Sequence, residues 1–166
     1  MAAAGALGFA VDETIMVIGR GARDFERACE ALASWVQFKL GWLEVCPPGA
    51  AVTPGTNVGV LIRHLGFWSL NGARIVYAVG DEGGRRRFGF AYGTLTSHAE
   101  RGEELFEVAM DPVSEDVTYR IRASSRPRSP LAWLGYPVVR WLQARCRHES
   151  AEAMRRALAR DRALSA

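Results

Sequence analysis

The sequence predicts an α+β fold of the helix-grip type, in which a curved antiparallel sheet of about six to seven strands wraps a long C-terminal helix. Three observations favour it: an early strand precedes a helical segment, apolar residues then alternate with a period of two, and the last part of the chain returns to a helical period. A sheet with one apolar face must cover that face, and a terminal amphipathic helix supplies the cover. We expect residues 1–12 to be a flexible N-terminus and residues 13–162 to form one helix-grip domain.

The first part of the domain predicts a strand and a helix. The stretch ETIMVIGRG, from Glu13 to Gly21, is a short β-branched run that ends in a Gly-Arg-Gly turn. The segment after it has apolar residues three and four positions apart, which is typical of a helix with one buried stripe. These residues are Phe25, Ala28, Cys29, Leu32, Trp35, Val36 and Leu40. Gly41 is the expected end of this helix.

From Trp42 onward the sequence predicts antiparallel strands. The candidate strands are WLEVC, TNVGVLIRHLGFWSL, ARIVYAVGDEGG, RRRFGFAYGTL, EELFEVAM and DVTYRIRASS. The third and fourth are expected to form a hairpin around GDEGGR, and the last two to pair around DPVSED. In the last strand Val117, Tyr119 and Ile121 point one way and the arginines point the other, so one face is buried and one is exposed.

The segment after SRPRSP predicts the helix that covers the sheet. Its apolar stripe consists of Leu131, Leu134, Val138, Trp141, Leu142, Cys146, Met154 and Leu158. Pro130 suits a first helical turn, whereas Pro137 is expected to kink or restart the helix. This order of elements matches START-like and Bet v 1-like proteins. A cystatin-like or hot-dog fold, which also places a helix on a sheet, is the alternative.

The composition is that of an ordinary globular domain, with 166 residues of which 49% are hydrophobic and 23% charged. A net charge of +3 is too small to indicate a nucleic-acid partner by itself. No apolar run approaches the ~18 residues that a membrane span needs. The cysteines Cys29, Cys46 and Cys146 are far apart and only three histidines are present, so we expect no metal or other cofactor, and reduced thiols in a cytoplasmic protein.

Four stretches of the chain together resemble a known family. They are RHLGFWSLNGARIVYAV, RFGFAYGTLTSHAERGEELFEV, ASSRPRSPLAWLGYP and RWLQARCRHESAEAMRRAL, and the early GRGARDFERACEALASWVQFKLGW fits the same pattern. The sequence is similar to the family catalogued as domain of unknown function 1990, which comprises small bacterial and plant proteins, over about Ile18 to Leu158. The resemblance implies a single-domain protein without an assigned activity, and it transfers no catalytic residue.

The strand RFGFAYGTL places aromatic side chains on one face. Phe88, Phe90 and Tyr92 alternate with small residues, so the rings share one face and the glycines lie on the other. The glycines are explained by a sharp bend of the sheet or by the close approach of another backbone. The rings either belong to the core or line a pocket for an organic ligand. The further candidates for contact with a ligand are Tyr77, Tyr119, Arg126 and Trp141.

The turn after this strand carries a histidine and three carboxylates: His98, Glu100, Glu103 and Glu104. A histidine beside a carboxylate can act as a general acid–base group near neutral pH. One histidine and glutamates at loop spacing are a weak signature for a divalent metal. The structural alternative, which we favour, is a solvated hairpin turn in which Gly102 provides the bend.

These features give three hypotheses for function. The first is a protein that binds a small, largely apolar organic molecule or acyl chain in a cavity between the sheet and the C-terminal helix, where tyrosines and an arginine orient the polar end of the ligand. The second is an enzyme of the cyclase, dehydratase or hydrolase type, with His98 or Glu103 as the acid–base residue and Tyr92 as the oxyanion donor. The third is a partner-binding module that uses Trp133, Trp141 and the arginine-rich face of the C-terminal helix. The topology and the aromatic face favour the first, and the oligomeric state stays open.

Overall fold

The structure is a computed structural model that describes residues 10–64, 66–95, 100–127 and 136–164. Strand β1 (Ala10–Arg20) leads directly into helix α1 (Gly21–Ala33) and a short 3-10 turn (Val36–Phe38). The elements that follow are β2 (Leu43–Cys46), β3 (Asn57–His64), β4 (Phe67–Val79), β5 (Arg86–Thr94), β6 (Glu100–Met110), β7 (Asp116–Pro127) and α2 (Tyr136–Leu164). The predicted α+β helix-grip fold is confirmed.

The seven strands form one curved antiparallel sheet in the order β1-β7-β6-β5-β4-β3-β2. Strands β2 to β7 follow one another as a meander, and β1 lies at the far edge beside β7. Helix α2 packs across the inner face, where it contacts β1, β7, α1 and the 3-10 turn. Because successive side chains of a strand point to opposite faces, the register decides which residues lie under α2.

An aromatic cluster fills the centre of the space between the sheet and the helices. Trp35 and Phe38, which follow α1, lie against Phe90, Tyr92 and Phe106 of the sheet. The ring centroids are 4.9 Å apart for Trp35 and Phe90 and 5.3 Å apart for Phe38 and Phe106, which are distances at which aromatic pairs attract each other. The Trp35 indole N–H donates a hydrogen bond to a main-chain carbonyl 2.7 Å away, so this buried ring has its polar group satisfied.

Helix α1 ends earlier than its apolar stripe predicts. It stops at Ala33, because Trp35 adopts a φ of 59° in the left-handed region and the chain continues as the 3-10 turn through Phe38. Trp35 and Phe38 therefore enter the core from a turn. A helix that continued to Gly41 would have presented them along a single stripe.

Strand boundaries differ from the prediction at two places. Strand β1 begins at Ala10, and residues 10–12 pair with residues 123–125, so the sheet includes the end of the segment expected to be flexible. The apolar stretch from Thr56 to Leu70 contains parts of two strands, because the chain reverses direction at Gly66, which has a φ of 82°. The assignment of one domain up to residue 162 stays a prediction. Within the described ranges, no helix is both long and apolar enough to cross a membrane.

Candidate functional site

The inner face of the sheet changes from apolar to polar opposite the N-terminal half of α2. A row of register-paired residues crosses four neighbouring strands there: Tyr92 pairs with Glu104, Glu104 with Ala123, and Ala123 with Asp12. We call these four residues the polar row. The adjacent row contains the phenylalanines of the aromatic cluster. The polar row therefore borders the aromatic cluster on one side and brings the charged groups of Glu104 and Asp12 to the inner face.

Tyr92 and Glu104 form a close hydrogen-bonded pair. The Tyr92 hydroxyl donates to Oε2 of Glu104 across 2.5 Å. Burial, followed by the negative charge of Glu104, raises the pKa of Tyr92 well above its ordinary value. The phenol therefore stays protonated and its one proton is engaged by Glu104. Its oxygen can accept a hydrogen bond from a ligand but has no second proton to donate.

Asp12 joins the edge strand β1 to helix α2. Nη2 of Arg140 donates to Asp12 Oδ1 at 2.7 Å, Nη1 of the same arginine bonds the other oxygen, and Nη2 of Arg147 lies 3.5 Å from Oδ1. The hydrogen bond from Arg140 is the main cause that holds the pKa of Asp12 below its ordinary value. The cluster is a part-buried ion triad, and it fixes the lateral position of α2 on the sheet.

Further polar contacts connect the inner face to α2. The hydroxyl oxygens of Tyr119 and Ser150 are 2.7 Å apart in a fully buried pair, and Nε2 of Gln143 donates to the Ser125 hydroxyl at 3.1 Å. Cys146 lies on the same part of the helix, and burial together with the charge of Glu104 raises the pKa of its thiol. At neutral pH this thiol is protonated, so it is a poor nucleophile.

Two buried side chains keep hydrogen-bonding capacity that the described part of the chain does not use. They are Gln37, through both the oxygen and the nitrogen of its amide, and Arg147, through Nη1. Gln37 is 0% exposed and lies on the 3-10 turn, which packs against α2 and β2, while Arg147 is 8% exposed. About 90% or more of buried polar groups in proteins are paired, and an unpaired one costs about 1–3 kcal/mol. The unpaired groups of Gln37 and Arg147 beneath α2 therefore lower the stability of the folded chain.

Comparison with known sequences identifies the family. The profile of the family described as "Domain of unknown function (DUF1990)" matches residues 2–153. The chain belongs to this family. The DUF1990 protein is 37% identical over 158 residues to a UPF0548 protein of Dictyostelium discoideum, covering 90% of this chain and 73% of the relative. It is 31% identical over 152 residues to a UPF0548 protein of Arabidopsis thaliana, covering 89% and 72%. Relatives therefore occur in an amoeba as well as in plants and bacteria.

Comparison with solved structures shows the Bet v 1-like fold. A norcoclaurine synthase of Thalictrum flavum matches with a TM-score of 0.55 and 11% identity, covering 93% of this chain and 96% of that one. Ara h 8.0201 matches with a TM-score of 0.53 and 12% identity, covering 92% and 99%. TTHA0849 of Thermus thermophilus matches with a TM-score of 0.56 and 13% identity, covering 92% and 98%. At these identities the likeness establishes the fold and nothing finer.

The rings expected to line a cavity in the DUF1990 protein are part of its core. Phe90 and Tyr119 are 0% exposed, so no water-sized space touches them, and Tyr92 is 6% exposed. Phe88 is half-buried and packs against the core. Trp35 and Phe38 pack on these rings from the turn that follows α1, and ligand contact by the predicted rings stays a prediction. Tyr92 alone among the predicted rings also belongs to the polar row.

Tyr77 and Glu103 lie on the outer face of the sheet, away from Tyr92. Val76 is an extra residue in β4, so Ile75 pairs with Tyr92 and Tyr77 pairs with Ala91, the residue directly before Tyr92. Tyr77 therefore lies on the opposite face from Ile75 and points outward. Its hydroxyl donates to Glu103 at 2.9 Å; burial and this contact raise the pKa of Tyr77 to about 12. Glu103 and Tyr92 therefore lie on opposite faces of the sheet, and the catalytic role considered for them stays a prediction.

The neighbouring carboxylate, Glu104, faces inward and lies beside Tyr92. Counting alternate positions back from the apolar Phe106 would have placed Glu104 on the inner face, so the signal was present in the sequence. Gln37 had no such signal, because it lies beyond the end of α1 in a segment predicted to be a plain helix.

The remaining candidates are spread over the surface or lie outside the described residues. Arg126 pairs with Arg101 in the sheet register and is half-buried. Trp141 is 60% exposed and has the Arg145 guanidinium 5.7 Å from its ring centre. His98, the proposed acid–base histidine, lies outside the described residues, as does Trp133. In the described part of the chain, no three His, Cys, Asp or Glu side chains come together as a metal site would require.

Proposed function

We propose that this DUF1990 protein binds a small organic molecule between the sheet and α2, beside the polar row. The observation that carries the proposal is the unused hydrogen-bonding capacity of Gln37 and Arg147 in the buried interior. Such groups reduce the stability of the folded chain. A ligand with matching polar atoms pairs with them once the 3-10 turn and α2 move apart, because Gln37 is 0% exposed and no water-sized space touches its amide in the closed arrangement.

The polar groups in this region define the chemistry of the ligand. Nη1 of Arg147 and the Gln37 amide nitrogen are donors, whereas the Gln37 amide oxygen and the Tyr92 oxygen are acceptors. Asp12 already neutralises part of the charge of Arg147, and Glu104 adds a negative charge. We therefore expect a neutral molecule that carries a hydroxyl or carbonyl group on an apolar body, rather than an anion.

The ligand lies next to the aromatic cluster and not within it, because the rings of that cluster leave no space between them. The expected site between the sheet and the C-terminal helix is thus kept, with the ligand beside the cluster. The solved norcoclaurine synthase that shares this fold holds dopamine and hydroxybenzaldehyde. Small phenols and aromatic aldehydes are therefore the first probes to test.

The test is a binding measurement by two-dimensional NMR on the ¹⁵N-labelled full chain, with neutral phenols and aldehydes compared against their carboxylic acid analogues. We expect saturable shifts near the polar row, and an affinity about tenfold lower in Gln37→Met, which corresponds to about 1.4 kcal/mol. The matched control is Arg155→Met, on the exposed side of α2, which should bind as the unmodified chain does. The proposal fails if no probe shifts these resonances and native mass spectrometry of protein from its own host finds no bound molecule.

A second candidate function is proton transfer at Glu104. The close contact between Glu104 and Tyr92 in a buried setting favours it, because such a pair can hold a proton beside a bound molecule. Glu104→Gln then abolishes turnover of a bound substrate while leaving its affinity within a few-fold. Equal loss of both would assign Glu104 to binding alone.

We also infer a cytoplasmic location. Cys29, Cys46 and Cys146 are all free thiols, and unpaired cysteines are typical of a reducing compartment. Fractionation of the native host with an antibody against the protein tests this location.

A further inference from the structure

A groove that shares no residue with the polar row forms a second candidate binding site. It lies between α1, the 3-10 turn and the C-terminal half of α2, and has a volume of about 610 Å³. This volume falls within the range of about 300–1,000 Å³ that is usual for small-molecule sites. We call it the basic groove.

The apolar lining of the basic groove exists because the facing helices carry small residues. Ala31 of α1 faces Ala153 and Ala157 of α2 across the groove, and Val36 and Leu40 complete the apolar lining. Longer side chains at the alanine positions would have filled the space between the helices. The result is an alanine-rich apolar strip between polar walls, which can accept part of a hydrocarbon chain at a gain of about 25 cal/mol for each Å² removed from water.

The rim of the basic groove is predominantly cationic. Arg27, Lys39, Arg156 and Arg160 line it, against the carboxylates of Glu30 and Glu149. Lys39 is the only lysine of the chain. Within the described residues, no hydrogen bond or ion pair engages the side chain of Lys39 or Arg160.

One of the two rim carboxylates is already paired with partners inside the protein. Glu149 accepts hydrogen bonds from the Trp42 indole N–H at 2.6 Å and from Arg145 Nε at 2.6 Å, and this arginine lies outside the groove. The pKa of Glu149 is lowered, which keeps it ionised and bound to these partners. The field in the groove is therefore positive, with Glu30 as the one opposing charge.

We propose that the basic groove binds an organic anion with a linear apolar body, namely an alkyl or acyl chain that ends in a carboxylate or phosphate. The chain lies on the alanine-rich lining and the anionic end meets Lys39 and the two arginines of α2. This site is independent of the interior site. The interior prefers a neutral molecule, whereas the groove requires the negative charge.

The test is isothermal titration calorimetry of the full chain with decyl phosphate below its micelle concentration, with decanol and inorganic phosphate as the two partial ligands. We expect one site for decyl phosphate and at least tenfold weaker binding of either partial ligand. The double variant Lys39→Glu/Arg160→Glu should lower the affinity for decyl phosphate by about tenfold or more. Ala157→Leu, which fills the lining without a change of charge, should lower it as well.

The matched control is Arg23→Glu/Arg155→Glu, which changes the net charge by the same amount at two exposed positions outside the groove. This control should retain the affinity within twofold. The proposal is overturned if the control weakens binding as much as the groove variant, if decanol binds as tightly as decyl phosphate, or if Ala157→Leu binds like the unmodified chain. Loss of decyl phosphate binding in Gln37→Met with no loss in the groove variants would also overturn it, because the ligand would then occupy the interior. Circular dichroism melts establish that each variant is folded.

Discussion

Replacement of Gln37 by methionine tests whether the protein holds unpaired polar groups at the expense of its stability. Both polar atoms of the Gln37 amide are buried and unpaired in the described part of the chain, and the residue is 0% exposed. Methionine has the same unbranched shape and a similar volume, so the surrounding packing is largely kept. The substitution removes the amide while leaving no large cavity.

The expected effect is a gain in stability. An unsatisfied buried polar group costs about 1–3 kcal/mol, and an apolar replacement of similar shape removes that cost. We therefore expect the free energy of unfolding of Gln37→Met to rise by roughly 1–3 kcal/mol without ligand. For a chain of this length, that gain corresponds to an increase in the melting temperature of roughly 2–12 °C.

The assay is urea unfolding followed by circular dichroism, with Gln143→Met as the matched control. The Gln143 amide donates to the Ser125 hydroxyl and accepts from Arg140, so the same substitution there removes satisfied hydrogen bonds and should lower the stability. A loss of stability in Gln37→Met similar to that of the control would refute the reasoning. It would show that the Gln37 amide is paired in solution, by water or by the protein.

Three further perturbations probe the fold around the site. Asp12→Asn should lower the free energy of unfolding by about 1–3 kcal/mol at pH 7. The folded-state pKa of Asp12 is depressed, so this stabilisation is present above its unfolded pKa and is lost as the pH falls through the folded value. The stabilities of the two chains should therefore converge in acid unfolding titrations. Gly89→Ala should lower the free energy of unfolding by about 1–3 kcal/mol or more, since the new Cβ would lie 2.3 Å from the Phe106 carbonyl oxygen. The control Gly93→Ala, whose Cβ has its nearest contact at 3.5 Å, should melt within a few degrees of the unmodified chain. Cys46, the exposed thiol, should react with a thiol reagent well before the other two cysteines, whose pKa values burial raises; equal rates for all three would contradict this.

Periodicity was sufficient to predict the fold but not the contents of its interior. The alternation in β5, β6 and β7 and the helical pattern of the C-terminal segment identify the sheet and the helix that covers it. The aromatic filling of the interior depends on the left-handed backbone of Trp35, a conformation that a non-glycine residue adopts rarely and that no residue pattern indicates. Trp35 and Phe38 therefore fill part of the space between the sheet and the helices, and ligand contact by the predicted rings stays a prediction.

A single extra residue in a strand explains why two of the predicted site residues, Tyr77 and Tyr92, lie on opposite faces of the sheet. The bulge at Val76 moves Tyr77 to the outer face, where it meets Glu103 instead of Tyr92. A strand sequence has no marker for such a bulge unless a glycine or proline occurs at it. Glu104 was the predictable residue, because it continues the inward alternation that Phe106 begins.

The polar groups beneath α2 divide into two sets with different roles. Asp12, Arg140 and Gln143 are engaged by protein partners and hold the helix on the sheet, so their removal affects stability. Within the described ranges, the Gln37 amide and one nitrogen of Arg147 have no hydrogen-bond partner, so a ligand that pairs with them adds free energy that these residues do not supply. If one molecule contacts both, the losses in binding free energy in Gln37→Met and Arg147→Met should not add.

A double-mutant cycle measured by NMR titration decides this question. Groups that contact the same ligand usually couple by roughly 0.5–3 kcal/mol, whereas independent sites add within about 0.5 kcal/mol. A coupling energy in the first range places Gln37 and Arg147 in one binding site. If the losses in binding free energy simply add, Gln37 and Arg147 do not contact the same ligand. The proposal of a single ligand beneath α2 would then be wrong even if each position bound a small molecule of its own.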